Sequence, residues 1–95
     1  MDVKLFQFNS LSDYLPYYKK FLNLDFDKNS SIFKLLQSLK TFDEDYSCPY
    51  MDFAIRVNGI YTFTSTCIAD IPNNHELILE PVSEYLCKKD LIVEN

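Results

Sequence analysis

The chain has one glycine, Gly59, one histidine, His75, and three cysteines in 95 residues. A lone histidine without any Cys-x2-Cys pair argues against a zinc site of ordinary ligand spacing. The cysteines are odd in number and widely spaced, which fits reduced thiols better than a disulfide framework. No apolar run approaches the ~20 residues needed to cross a bilayer as a helix. The opening MDVKLFQF lacks the charged, apolar, then small-residue order of a signal peptide, so a cytoplasmic location is expected. Basic clusters are limited to Lys19-Lys20 and Lys88-Lys89, and the net charge is −5. That balance argues against nucleic acid and anionic membrane as partners.

What the chain does have is apolar and aromatic mass. Hydrophobic residues make up 47% and aromatics 16%, which suffices for one packed core. At this length a single domain buries roughly 60–65% of its unfolded surface and folds without metal or disulfide staples. There is no internal repeat and no low-complexity tract.

The element pattern begins with a strand over residues 3–9, with Val3 and Leu5 on one face and Phe6 and Phe8 on the other. Residues 10–16 form a polar loop ending in Pro16. A second strand over 18–26 is expected to turn its Leu22, Leu24 and Phe26 face inward. Residues 27–31 offer several oxygens able to cap a helix, and Ile32, Leu35, Leu36 and Leu39 recur at i, i+3, i+4 and i+7. An amphipathic helix over 32–42 follows. After the acidic loop Asp43-Glu44-Asp45, Phe53, Ile55 and Val57 alternate with Ala54 and Arg56. Asn58-Gly59 then supplies the two positive-φ residues of a tight hairpin turn, and the strand returns over 60–64. The turn at Pro72-Asn73-Asn74 precedes a last strand over 76–80.

Two hairpins joined by one helix and closed by a final strand beside the first make an α+β chain of the β-grasp (ubiquitin/ferredoxin-like) arrangement. It has a mixed sheet of four to five strands and one amphipathic helix. The domain is expected to span 1–81. Residues 82–95 read as a tail, or a linker to a further domain.

That tail carries a resemblance. LILEPVSEYLCKKDLIVEN is similar to the segment closing the N-terminal [2Fe–2S] domain of succinate dehydrogenase and fumarate reductase iron–sulfur subunits. Pro81 and the run from Lys89 to Glu94 stand at the matching places. LFQFN and SIFKLLQSLK resemble that family's first strand and helix, and a bacterial domain family that keeps the same scaffold is a related expectation. Ser47-Cys48, Asn58-Gly59 and Cys67-Ile68 match the family's Ser-Cys, hairpin turn and final Cys.

Two of the family's four cluster cysteines are missing. PYMDFAIRV, between Cys48 and Asn58, is shorter than the family's loop and has no glycine to turn backbone N–H groups toward sulfur. The resemblance therefore implies a cluster-free, non-catalytic scaffold that binds a protein partner, such as a respiratory oxidoreductase subunit. No cofactor is expected. The alternative is an electron-transfer domain holding a [2Fe–2S] cluster through Cys48 and Cys67, with Asp52 and Cys87 as the remaining donors on offer. A ubiquitin-like carrier is a third reading, disfavoured because the chain ends Ile92-Val93-Glu94-Asn95 rather than Gly-Gly. A Cys–His nucleophile would need Cys48 or Cys67 beside His75, which no spacing supports. Interaction residues are expected at Tyr50 and Met51 in the shortened loop and at Tyr61 and Phe63 on the returning strand.

Overall fold

A computed structural model describes residues 1–94. The strands are β1 (Asp2–Gln7), β2 (Tyr17–Phe21), β3 (Ala54–Val57), β4 (Ile60–Phe63) and β5 (Glu76–Glu80), with helix α1 (Ile32–Lys40) between β2 and β3. They form one mixed sheet in the order β2-β1-β5-β3-β4. β1 and β5 run parallel at its centre, and every other pairing is antiparallel. This is the expected α+β arrangement, with the last long strand beside the first. Among the described residues no helix is long and apolar enough to cross a membrane.

Helix α1 forms where the apolar period predicts it. Ser31 caps it, its hydroxyl accepting from the Lys34 amide at 3.2 Å. Ile32, Leu35, Leu36 and Leu39 are buried against Val3 and Leu5 of β1, Leu77 and Leu79 of β5, and Ile55 and Val57 of β3. Cross-strand register fixes which residues share that face, because paired residues lie on the same side of a sheet. The opposite face therefore carries Lys4, Phe6, Tyr18, Lys20, Arg56, Tyr61, Phe63, Ile78 and Glu80. No helix covers it.

With one glycine, the chain fills its other left-handed backbone positions with Asn and Asp. Asn23, Asn58, Asn73 and Asp90 all have positive φ, beside Gly59 at 81°. These are the residue types whose short polar side chains best tolerate that region. At the β3–β4 turn Asn58 does more than bend the chain. Its side-chain amide donates to the Glu76 carbonyl at 3.0 Å and its side-chain oxygen accepts from the Ile78 amide at 2.8 Å, so the turn is tied to β5.

Asn23 also explains where the second strand departs from expectation. The strand ends at Phe21 because Asn23, at φ 55°, turns the chain around the start of β1. The Asn23 amide donates to the Asp2 carboxylate, and Leu24 exchanges hydrogen bonds with Met1. Phe21, paired with Val3, takes the inward position, and Leu22 is left 65% exposed. Leu24 and Phe26 still pack on the core, but from beyond the strand.

The larger correction concerns the C-terminal segment, which does not leave the domain. Cys87–Lys89 (β6) and Ile92–Val93 (β7) form a small hairpin that folds back along the end of β1. Asp90 donates its amide to the Phe8 carbonyl, and Ser10 donates to the Lys88 carbonyl. Cys87, Asp90 and Leu91 are buried, Leu91 within the main core. A boundary at residue 81 therefore does not divide two units.

If α1 closes the core as described, Leu36→Ala removes a fully buried side chain and is expected to cost roughly 2–5 kcal/mol, whereas exposed Lys34→Ala changes stability little. Urea titration of both variants checks this; equal losses would mean that the buried helix face is assigned wrongly.

Candidate functional site

The two cysteines matched by the resemblance lie at opposite ends of α1. Cys67 pairs with Ser31 at the helix start, and its thiol donates to the Lys28 carbonyl at 3.3 Å. Cys48 sits beside the other end, in a cleft of about 400 Å³ shared with Phe33, Gln37, Lys40, Thr41 and Tyr50. Nine helical residues separate these ends by about 13 Å. Burial pushes the Cys48 thiol up, opposite to what a thiolate ligand needs.

The other donors are engaged elsewhere. The Asp52 carboxylate accepts from the Thr64 hydroxyl at 2.7 Å and the Ser65 amide at 2.9 Å. The Thr64 bond is the main reason its acidity is increased. Cys87 donates to the Asp90 carbonyl at 3.1 Å from a buried position. Among the described residues no three His, Cys, Asp or Glu side chains converge on one point. This donor set does not fit a four-ligand cluster. His75 shares a shallow surface hollow with Asn58, Asn73, Glu76 and Ile78, and neither cysteine lines it.

The residues expected to interact are all exposed, but they divide between two surfaces. Tyr50 lies on the helix side, where the Lys40 ammonium stands 5.9 Å from its ring centre, and Met51 follows it in the same loop. Tyr61 and Phe63 project from the open sheet face at its β4 edge, opposite Arg56 and Ala54. Their neighbours on β4, Ile60 and Thr62, lie on the helix side of the sheet.

At the middle of the open face is a polar cluster that sequence reasoning did not assemble. Arg56 Nη2 lies 3.2 Å from Glu80 Oε2 and 3.2 Å from Glu84 Oε1. The Tyr18 hydroxyl donates to Glu80 from the other side. Partial burial, together with that carboxylate, raises the Tyr18 phenol above its ordinary range. Phe6 meets the Tyr18 ring edge to face, with centroids 5.8 Å apart. Arg56 and Glu80 are direct cross-strand partners, so this pair was open to prediction once β3 was set beside β5.

The returning C-terminal segment adds a second feature. Glu84 and Tyr85 approach Phe6, Phe8, Tyr14 and Pro16, enclosing a cleft of about 260 Å³ at one end of the open face. Tyr14 and Tyr85 are each 95% exposed. The clue in the sequence was tyrosine inside otherwise polar loops, Ser12-Asp13-Tyr14 and Ser83-Glu84-Tyr85, where no core position called for it.

Protein purified under anaerobic conditions is therefore expected to be colourless, with no stoichiometric iron or acid-labile sulfide. Near-stoichiometric iron and sulfide, lost on Cys48→Ser and Cys67→Ser, would overturn this account of the cysteines.

No protein-family description matches the chain, and no curated protein matches it. Among solved structures, a hypothetical protein from Helicobacter pylori superposes with a TM-score of 0.81 at 27% identity over 99% of this chain. The chain spans 18% of that protein's length, so the same α+β fold stands there as one part of a much longer polypeptide.

Proposed function

We propose that this chain is a non-catalytic protein-interaction domain that docks through its open sheet face. The observation that carries this reading is the placement of exposed Tyr61 and Phe63 at the β4 edge of an uncovered face, beside the fixed Arg56–Glu80 pair. Rigid aromatics around a held ion pair supply both the apolar contact and the registering charge that interface cores use.

The edge strand adds to this. β4 reads Ile-Tyr-Thr-Phe, with no charged residue to discourage an added strand, whereas the other edge, β2, carries Lys19 and Lys20. Within the β3–β4 hairpin the Thr64 amide donates to the Phe53 carbonyl. By the antiparallel alternation, Tyr61 then turns both its backbone groups outward and Phe63 its amide, while the Phe63 carbonyl accepts from the Thr66 amide at 3.0 Å. Such an edge can receive an extended segment.

The resemblance of Pro81 and the Lys89–Glu94 run to iron–sulfur subunits supports a partner from a respiratory oxidoreductase. The Helicobacter pylori neighbour supports use of the fold as one module of a longer polypeptide. Tyr50, beside Lys40 on the helix side, stands apart from the open sheet face.

A photo-crosslinking phenylalanine analogue at position 63, expressed in the source cells, is expected to trap one discrete protein. The same analogue at exposed Lys34 traps none, and Tyr61→Ala weakens the adduct without changing Tm. Equal adducts at positions 63 and 34, or none at 63, contradict the proposal.

A further inference from the structure

We infer that the cleft between Phe6, Phe8, Tyr14 and Tyr85 binds a cationic side chain, that of an arginine or lysine presented by a basic segment of a protein partner. The inference rests on the docking reading only for the cation's source; the recognition chemistry stands on the cleft itself.

Phe6, Phe8, Tyr14 and Tyr85 contribute to the lining of a space of about 260 Å³, and the single charged residue among its lining is Glu84. Aromatic faces carry negative quadrupole density, and several around one opening favour a cation over a neutral group of equal size. The ion count beside the cleft points the same way. Arg56 is shared between Glu80 and Glu84 through one nitrogen, so one guanidinium faces two carboxylates. The cluster is left with an excess negative charge at the cleft wall, and no Lys or Arg lines the opening to neutralise it. The whole chain, at net −5, draws a basic partner toward any of its faces, and in this cleft aromatic residues and a carboxylate come together with no basic residue among its lining.

The floor of the cleft and the turn that carries Glu84 and Tyr85 are held in place. Phe6, at its floor, is 1% exposed and sits on the sheet. Glu84 and Tyr85 are held by the turn in which the Cys87 amide donates to the Glu84 carbonyl and the Leu86 amide donates to the Ser83 hydroxyl. A long cationic side chain can lay its methylenes along Pro16 and the rings while its head reaches Glu84, the manner in which Arg and Lys bury a stem and keep the charge paired.

The test is an NMR titration with Nα-acetyl-arginine amide, and with Nα-acetyl-citrulline amide as the uncharged probe of the same shape. Saturable shifts of the Tyr14, Tyr85, Phe6 and Phe8 ring protons are expected with the arginine probe, and clearly weaker ones with citrulline. Tyr85→Ala should weaken binding about two- to fivefold, the change that ~0.5–1 kcal/mol per exposed ring corresponds to. Glu84→Gln should narrow the gap between the two probes. Equal binding of both probes, no saturable shifts, indifference to both variants, or preferential binding of a proline-rich peptide at the same rings would each overturn the inference. Because the probe needs no partner, a failed cross-link at position 63 with successful cation binding would locate the error in the docking reading, and the reverse would locate it here.

Discussion

Asp90 joins three parts of the chain through its carboxylate. It is 5% exposed, and it accepts from the Phe8 amide at 3.1 Å and the Ser47 amide at 2.9 Å, with Lys89 Nζ at 3.3 Å. Hydrogen bonds to a charged acceptor are the stronger kind, and leaving the two amides unpaired would expose the cost of their desolvation. Beside them, Lys89 also reaches the Asp45 carbonyl and the Ser47 hydroxyl. The end of β1, the loop after α1 and the C-terminal hairpin are thereby held as one body. Asp90 itself takes a left-handed backbone conformation, so both its side chain and its φ suit the place.

From that clamp the surface features follow. Once β6 is set along Phe8–Ser10, the preceding residues 81–86 must cross from the end of β5 over the open sheet face. Glu84 thereby meets Arg56, and Tyr85 stands across from Phe6 and Tyr14. The remainder of the face, toward β4, stays uncovered. One end of the sheet thus becomes a walled aromatic cleft and the other an open edge, and both lie on the side that α1 leaves bare.

Much of the scaffold was legible because its signals are local. The 3.6-residue period of Ile32, Leu35, Leu36 and Leu39 and the Asn58-Gly59 turn fix their elements within a few residues of sequence. The β2 register was not legible, since Asn23 turns the chain through a bond to Asp2, a contact 21 positions away. The fate of residues 82–94 was hidden for a similar reason. Cys87 and Leu91 look like the sparse apolar residues of a tail until Ser47 and Phe8 are placed beside them. Of the site, Tyr61 and Phe63 could be read from strand alternation, but the Phe6–Tyr14–Tyr85 cleft depends on that long-range return.

Amide hydrogen exchange on Asp90→Asn tests the central role of this clamp most directly. Asparagine keeps the backbone preference and one oxygen acceptor, but its amide cannot accept from the second N–H, so the change isolates the carboxylate. The account predicts faster exchange at Ser10, Ser47, Leu91 and the substituted position itself, whose amides tie the hairpin down, with Leu5, Leu77 and Leu79 in the central strands still protected. Unchanged exchange at the hairpin, or equal loss throughout the sheet, would contradict it.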